Sequence, residues 1–401
     1  MRGLLYAVLN PPFAAPDESA HFQYVVFLAK GAAENPSSEA HQPALYYALM
    51  VPAYLLAAGQ PAAIQLLAVR VANIPFLLGT IALTWFAARR IAPSNSFVPV
   101  VAAALVAFQP EFGFIGAAAN NDNAANFAAA LLTFLVVLLL TGSAGRLVVA
   151  ATVVSIAISV MTKGQVLPVT LVSLLVLLGC VAQLTVVTRS RKPVLFLGFA
   201  ALAAILLART RDGTALFARG ETMLSVVVLW QESVQTALKH GLDPFFYQFF
   251  TFWSAFLGEL ARPPAQSYIV PAAVVALAPI GYAVLVVRRI RAGHPIPRKS
   301  VLLRLALVAM IFGVWMLDYL TYLRVNNPSY HGVFWSLPTI SGRYLFTALV
   351  PVALLVAEGW GLLVRERHQR YVALALIALF ALFDILSMAV LVNGQRWPLA
   401  G

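Results

Sequence analysis

The chain has 401 residues, of which 61% are hydrophobic and only 10% are charged. Soluble domains keep about a quarter of their residues charged, so this composition excludes a water-soluble enzyme, a disordered protein and a small disulfide-stapled domain. The net charge of +12 at pH 7 would suggest nucleic-acid binding in a soluble protein. In a membrane protein the same excess is expected of cytoplasmic loops beside anionic lipid, so we predict no nucleic-acid partner.

Apolar runs long enough to cross a bilayer recur along the chain. A spanning helix needs about 20 predominantly apolar residues, which predicts an all-α fold, a polytopic membrane helix bundle of about 10–12 spans. We treat residues 1–401 as one transmembrane domain. The clearest predicted spans are 67–88, 97–117, 124–141, 146–162, 164–186, 194–208, 268–287, 301–322, 343–364 and 370–392.

The first 66 residues follow a different pattern. Between Met1 and the Pro11-Pro12 pair there is room for only about two helical turns, too few to cross a membrane. We therefore expect either a shortened first helix or a natural start upstream of Met1. No small-residue cleavage site precedes Pro11, which argues against a cleaved signal peptide. The apolar segment 43–58 is short and contains two prolines, so we predict a helix in or dipping into the outer interface.

The connections between the predicted spans alternate in charge. One group carries most of the basic residues beside a single loop acid, Glu366, and positive loops stay in the cytoplasm. Its basic residues are Arg2, Arg89, Arg90, Arg146, Arg189, Arg191, Lys192, Arg288, Arg289, Arg291, Arg298, Lys299, Arg304, Arg365, Arg367 and Arg370. The other group holds nearly all the acidic residues and is predicted to face outward. It comprises 11–66, the turns at 118–123 and Lys163, and the loops 209–267 and 323–342.

The predicted spans contain few ionisable residues, namely Glu358, Asp384 and Asp318. Channels and pumps usually distribute such residues along a path through the bundle. This pattern therefore favours a vestibule that opens outward over a route through the membrane.

The first outer segment offers acid–base groups. After Pro16, the pair Asp17-Glu18 begins a predicted helix, where carboxylates complement the helix dipole and need no further role. A carboxylate at the membrane surface, with His21 one turn on, is also suited to accept a proton from a hydroxyl. Asp17, Glu18 and His21 are also ligand types for a divalent metal. No second ligand cluster accompanies them, so we predict no metal and no cofactor.

Other polar residues of the outer group each have a structural and a functional interpretation. His41 and Tyr46 fit interfacial anchoring, and Asn120 and Asp122 are ordinary turn formers. Arg70 lies at the outer end of a span, where an arginine snorkels to lipid phosphate. Snorkelling to lipid phosphate also explains two further cations at outer turns, but these cations are equally suited to bind the phosphate or pyrophosphate group of a substrate. These are Lys163 and Arg343, the latter followed by Tyr344.

An aromatic cluster occupies 245–256. Its density predicts an interfacial helix beside the bundle, as in the aromatic belts of membrane proteins. It is equally suited to form the wall of a groove for a long isoprenoid chain.

The order of these motifs resembles the DUF2142 family of bacterial membrane proteins, which is similar to the GT-C superfamily of polyprenyl-phosphate-sugar glycosyltransferases. The resemblance runs from about Pro11 to Pro351. It rests on Pro16–His21, His41–Tyr47, Arg70, Asn120–Asp122, Lys163, the set Phe252, Trp253, Phe256 and Gly258, and Gly342–Tyr344. The chain departs from the pattern at Gln42 and Asn121, where prolines are expected, and in its nearly absent first span.

The resemblance implies a GT-C-like bundle in the bacterial cytoplasmic membrane with an outward site. The donor would be a sugar on a polyprenyl phosphate, and the acceptor a hydroxyl of a glycan, lipid or protein. Asp17 would be the general base, and Glu18 or His21 would orient the acceptor or tune that carboxylate. Lys163, Arg343 and Tyr344 would bind the donor phosphate. His41, Tyr46, Arg70, Asn120 and Asp122 would shape the substrate pocket.

Three other functions remain open at this point. A transporter or flippase of lipid-linked saccharides would need polar residues at mid-membrane and alternating access, and the sequence has no visible inverted repeat. A polymerase or ligase of surface polysaccharide is chemically close to the glycosyltransferase and differs in product length. A non-catalytic scaffold is the remaining possibility.

Overall fold

The computed structural model describes residues 1–188 apart from 33 and 144, 243–256 apart from 255, 262–326 and 342–394. The regular elements in these ranges are helices, as the sequence predicts. The α-helices are α1 (Arg2–Leu9), α2 (Glu18–Lys30), α3 (Leu45–Leu56), α4 (Ala62–Ile91), α5 (Phe97–Ala107), α6 (Pro110–Gly116), α7 (Asp122–Leu140), α8 (Arg146–Val160), α9 (Leu167–Thr188), α10 (Asp243–Trp253), α11 (Ile269–Arg291), α12 (Arg298–Asn326), α13 (Leu349–Leu363) and α14 (Glu366–Gly394). Short 3-10 helices at Gly164–Val166, Ala265–Tyr268 and Gly342–Ala348 precede α9, α11 and α13.

The chain is a multi-pass membrane protein. Among the described residues, seven helices are long and apolar enough to cross a bilayer, or up to eight if α5 and α6 form one broken span. α8 has only 15 residues, about 22 Å of helix, which is short for a crossing. The predicted span 194–208 lies outside the described residues. The seven long helices are Ala62–Ile91, Asp122–Leu140, Gly164–Leu184, Ala265–Arg291, Arg298–Tyr319, Gly342–Leu363 and Glu366–Asn393.

The break between α5 and α6 has a local cause. Pro110 lacks a backbone N–H and forces the preceding residue, Gln109, into an extended conformation, so the two helices meet at 60°. The Gln109 side chain then caps α6 by accepting from the amide of Phe112 and also donates to the carbonyl of Phe252. The broken span is thereby tied to α10.

Both short N-terminal helices match the sequence prediction. α1 has eight residues and α3 has twelve, so neither crosses a bilayer by itself. Arg2 differs from expectation, because it does not lie in a polar loop. Its guanidinium pairs with Asp384 of α14 at 2.6 Å and donates to the carbonyl of Gln109 at 2.7 Å, within the packed helices.

Two helices of the hydrophobic core, α11 and α13, approach each other very closely where they cross. α11 and α13 pack through Gly281 and Gly359, and the backbone of Gly359 occupies the place where a Cβ at position 281 would lie. Small residues are what permit such close approach between membrane helices. α10 also enters the core, since Phe252, Trp253 and Phe256 are buried. These side chains therefore lie inside the bundle rather than beside it.

Ion pairs distinguish the two ends of the bundle. At one end, the site end, Arg70 in the third turn of α4 pairs with Glu18, and Arg343 before α13 pairs with Asp17. Asp122 in the first turn of α7 pairs there with Lys163. α7 has 19 residues and is therefore about 28 Å long, close to the thickness of a bilayer core. The last turns of α4 and α7 thus lie at the opposite end, where Arg90 contacts Thr141.

Candidate functional site

Asp17, which the sequence resemblance implies is the general base, lies between α1 and α2. Its backbone is in the left-handed region, with φ of 60°, a conformation that Asp tolerates better than most residues. Its carboxylate is 2.5 Å from a guanidinium nitrogen of Arg343 and is about half exposed, at 49%. Burial alone would raise the pKa of Asp17, but the charge and hydrogen bond of Arg343 outweigh it and hold that pKa below its usual value.

Tyr344 brings the two predicted phosphate-binding cations together. The guanidinium carbon of Arg343 is 5.0 Å from the centre of the Tyr344 ring, and the amine of Lys163 is 5.5 Å from the same centre. The guanidinium of Arg343 also donates to the Tyr344 hydroxyl at 3.1 Å. Both cations are nearly buried, so their positive charges are concentrated beside one aromatic ring.

A ring of contacts closes through the α6–α7 turn. Lys163 pairs with the carboxylate of Asp122 at the start of α7. The side-chain oxygen of Asn120 accepts from the backbone amide of Asp122 at 2.8 Å, and the Asn120 amide donates to the Pro16 carbonyl at 3.3 Å. Arg343 approaches the same carbonyl at 3.4 Å. Six of the predicted site residues therefore form one connected set, which we call the polar ring: Asp17, Asn120, Asp122, Lys163, Arg343 and Tyr344.

Glu18 and Arg70 form a buried ion pair behind the polar ring. The guanidinium of Arg70 contacts both carboxylate oxygens of Glu18, at 2.8 and 2.6 Å, and Glu18 is fully buried. Glu18 also accepts from the backbone amide of Ala119 at 3.0 Å. Arg70 donates to the carbonyls of Asn10 and Pro11 at 2.6 and 2.7 Å. This pair ties α4 to the end of α1 and to the α6–α7 turn.

His21 lies one helical turn after Asp17 and is 1% exposed. Its Nδ1 is 2.9 Å from the hydroxyl of Tyr47, whose ring stacks on Tyr24. Burial, together with the nearby charge of Lys163, holds the pKa of His21 well below its usual value, although Asp17 opposes the shift. His21 is therefore neutral at pH 7, and its ring lies against that of Tyr47.

His41 and Tyr46 occupy different surroundings. His41 is exposed at the rim, where it contacts the Ser38 carbonyl and the side chain of Gln42. Tyr46 is fully buried and packs edge-on against Tyr47. Gln42 and Asn121, the two positions that depart from the family pattern, approach each other at 3.4 Å between their side-chain amides. This contact joins the rim to the α6–α7 turn.

Three potential metal ligands converge, but not the three predicted from the sequence. Ligand atoms of Asp17, His21 and Glu39 lie within 4.8 Å of one another, whereas Glu18 is taken by Arg70. Asp17 is already paired with Arg343, and no step below depends on a metal.

Several buried polar atoms of the site have no hydrogen-bond partner within the described part of the chain. They are Oδ2 of Asp122, Oδ1 of Asn121, Oε1 of Gln165 and Nε of Arg343. Such atoms normally bind a ligand or ordered water, because an unpaired buried polar group costs roughly 1–3 kcal/mol. Two of these atoms belong to members of the polar ring, Asp122 and Arg343.

Sequence reasoning missed some contributors. Glu39 joins Asp17 and His21, Gln165 adds a buried oxygen beside Lys163, and the Pro16 carbonyl links two branches of the polar ring. Gln165 was within reach, since it follows Lys163 by two residues in a polar break between apolar runs. A backbone carbonyl leaves no signal in a sequence. Gly258, quoted with the aromatic motif, lies outside the described residues.

Comparisons with known proteins give only structural likenesses. No protein-family model matches the chain, and no curated protein matches it, so the DUF2142 resemblance stays a prediction. ArnT from Cupriavidus metallidurans in the apo state is similar over 98% of this chain and 74% of its own, with 14% identity and a TM-score of 0.48. The same protein bound to undecaprenyl phosphate is 15% identical over 98% of this chain and 75% of its own, with a TM-score of 0.47.

A third similar structure is the archaeal oligosaccharyltransferase AglB from Archaeoglobus fulgidus, in complex with an inhibitory peptide and a dolichol-phosphate. It is 12% identical over 98% of this chain, which spans 55% of its length, with a TM-score of 0.45. Similarities at this level of sequence identity and TM-score describe only the overall path of the helices. The roles of the site residues are therefore argued from the contacts within this chain.

Proposed function

We propose that this protein is a membrane glycosyltransferase that moves a sugar from a polyprenyl-phosphate donor to an acceptor hydroxyl on the extracytoplasmic face. The observation that carries the proposal is the polar ring at one end of an apolar bundle. It combines one half-exposed carboxylate, Asp17, with two nearly buried cations, Lys163 and Arg343, around one tyrosine. A lipid-linked phosphate needs this combination, since its tail stays in the bilayer while its charged head meets fixed cations.

Asp17 is proposed as the general base. Its carboxylate would accept the proton of the acceptor hydroxyl while that oxygen attacks the anomeric carbon of the sugar. The bond between that carbon and the phosphate oxygen breaks, and the phosphate leaves with the electron pair. Negative charge grows on the leaving phosphate, where Arg343 and Lys163 stabilise it.

Each cation is paired with a carboxylate, Arg343 with Asp17 and Lys163 with Asp122. A donor phosphate that contacts these cations competes with those carboxylates. Loss of the Arg343 contact would raise the pKa of Asp17 and make it a stronger base once the donor is bound. We therefore propose that donor binding and activation of the base are linked through Arg343.

The buried Glu18–Arg70 pair is proposed to hold the site in shape. Its bonds to Ala119, Asn10 and Pro11 fix the turn that carries Asn120 and Asp122 relative to α1. His21, Tyr46 and His41 are proposed to contact the acceptor or the sugar.

The test is a sugar-transfer assay with the full chain in proteoliposomes, using polyprenyl-phosphate donors labelled on the sugar. Asp17→Asn keeps the size of the side chain and removes the base, so transfer should fall about 10²- to 10⁴-fold. Glu34→Gln is the matched control, since Glu34 is exposed beyond the C-terminal end of α2. Unchanged transfer by Asp17→Asn would remove this carboxylate from the mechanism.

The same preparation separates the other functions. Movement of a labelled lipid-linked saccharide between leaflets, with no release of polyprenyl phosphate, would identify a flippase instead. Products that grow by many units would identify a polymerase, because a simple transferase adds one sugar per donor consumed.

A further inference from the structure

A cavity lies at the opposite end of the bundle from the polar ring. Its volume is about 280 Å³, near the lower end of the range for small-molecule sites. It is enclosed by the last residues of α4 and α7, the first two turns of α12, and Glu358 of α13. None of the predicted site residues lines it.

An ion pair forms the base of this cavity. The guanidinium of Arg304 contacts both oxygens of the Glu358 carboxylate, at 2.6 and 3.2 Å. The hydroxyl of Tyr282 is 2.9 Å from the same carboxylate. The negative charge of Glu358 is thus already matched by Arg304, so it contributes little repulsion to an anion above it.

Two further cations, Lys299 in the cavity wall and Arg90 next to it, have no acidic partner in the described ranges. Lys299 lines the cavity, and its amine lies 4.0 Å from the Cβ position of Gly142 in the α7–α8 turn. Arg90 donates to the hydroxyl of Thr141 at 3.0 Å and to that of Ser143, and Thr141 itself lines the cavity. With Glu358 neutralised, the cavity carries excess positive charge.

The remaining walls are apolar. Ile91, Leu140 and Leu303 line the cavity beside the polar groups. Leu302 and Leu305, which lie on α12 with Leu303, are exposed and extend the apolar surface away from the cavity. A free phosphate ion gains nothing from such walls, whereas a phospholipid presents a phosphate and the start of an acyl chain together.

We propose that this cavity binds the phosphodiester headgroup of an anionic phospholipid, in the leaflet at the opposite end of the bundle from the polar ring. Lys299 would contact the phosphate from the α12 side, and Arg90 with Thr141 would contact it from the ends of α4 and α7. Such a lipid would bridge α4, α7 and α12 and stabilise their packing.

The experiment uses the full chain, purified in detergent with its lipids removed, and titrates phosphatidylglycerol or phosphatidylcholine while lipid binding is followed by native mass spectrometry. Wild-type protein should retain phosphatidylglycerol in preference to phosphatidylcholine. Lys299→Gln should weaken phosphatidylglycerol binding about fivefold, the effect of one basic side chain at an anionic surface, and Lys299→Arg should restore it. Arg298→Gln is the matched control, because Arg298 is exposed, is adjacent and does not line the cavity.

Two results would overturn the proposal. Equal weakening by Lys299→Gln and Arg298→Gln would mean that general surface charge attracts the lipid. Displacement of phosphatidylglycerol by inorganic phosphate at equal concentration would mean that the site takes free phosphate. Neither result bears on sugar transfer, since the readout is lipid retention and the variants lie far from the polar ring.

Discussion

The guanidinium of Arg343 lies 2.5 Å from the carboxylate of Asp17, although 326 residues separate them in the sequence. This contact joins the N-terminal segment to the beginning of α13 and places the proposed base against a proposed phosphate ligand. While Arg343 contacts the Asp17 carboxylate, the pKa of Asp17 is lowered and the proposed base is weak. It becomes stronger only when another group binds Arg343 in its place.

The first prediction concerns this effect of Arg343 on Asp17. The profile of kcat/KM against pH reports the pKa of groups in the free enzyme, and a base acts when deprotonated. Arg343 lowers the pKa of Asp17, so the acid limb of the wild-type profile should lie at lower pH than that of an unpaired aspartate. Arg343→Gln should move that limb to higher pH and slow transfer about 10²- to 10³-fold.

Arg343→Lys is the control for that experiment, because it keeps the charge and loses only the fork-shaped geometry. Its acid limb should stay near the wild-type position. An unshifted limb in Arg343→Gln would show that Asp17 does not titrate in the profile.

A second prediction separates a structural from a substrate-binding role for Arg70. Removing one partner of a buried ion pair costs about 3–5 kcal/mol, whereas replacing both by apolar residues costs far less. Arg70→Met should therefore lower the free energy of unfolding in mixed micelles by that amount, and Glu18→Met with Arg70→Met should recover most of it. If Arg70→Met keeps wild-type stability but raises KM for the donor, Arg70 instead belongs to the sugar pocket, as the sequence resemblance implies.

A third prediction follows from the burial of His21. Its pKa is lowered in the folded state, so below about pH 6.5 the unfolded chain binds more protons at this position than the folded chain does. Its contribution to stability is complete above that pH and is lost as the pH falls toward the lower, folded-state pKa. The Tm measured between pH 7.5 and 5 should fall less steeply for His21→Gln than for wild type.

His294→Gln is the control for the His21 experiment, since His294 is exposed at the end of α11. It should leave the slope of Tm against pH unchanged. Equal slopes for wild type and His21→Gln would contradict a neutral, buried His21.

A fourth prediction tests the helix crossing at Gly281. A methyl group there would overlap the backbone of Gly359, so Gly281→Ala should destabilise the protein by about 1–3 kcal/mol as α11 and α13 move apart. Gly179→Ala in α9 has open space around it and should be neutral or slightly stabilising. Thermal unfolding of the two variants gives the comparison, and similar Tm values for both would argue against this packing.

Much of the fold follows from hydropathy, because a membrane span needs a long apolar run and such runs are visible locally. The α3 helix and the break at Pro110 also have local signals. Arg2 was grouped with loop residues, whereas it lies in α1 with its guanidinium on Asp384 of α14, 382 residues away. Counting the basic residues of the loops predicts a side of the membrane only for residues that lie in loops, and Arg2 lies against α14.

The sequence indicated which polar residues would gather at one end of the bundle, but not how they would contact one another. Six of those residues form the polar ring. Nothing in the sequence indicated that Glu18 would be occupied by Arg70, 52 residues on, or that Glu39 would lie beside Asp17 and His21. Those pairings depend on how the N-terminal segment folds back over α4, which no periodicity encodes.

The most direct test of the account is a density map of the full chain with a polyprenyl phosphate bound. The phosphate should lie beside the Tyr344 ring in contact with Arg343 and Lys163, and the carboxylate of Asp17 should have separated from Arg343 to face the open site. A phosphate bound elsewhere, with the Asp17–Arg343 contact intact, would contradict the central claim that these groups form the donor site.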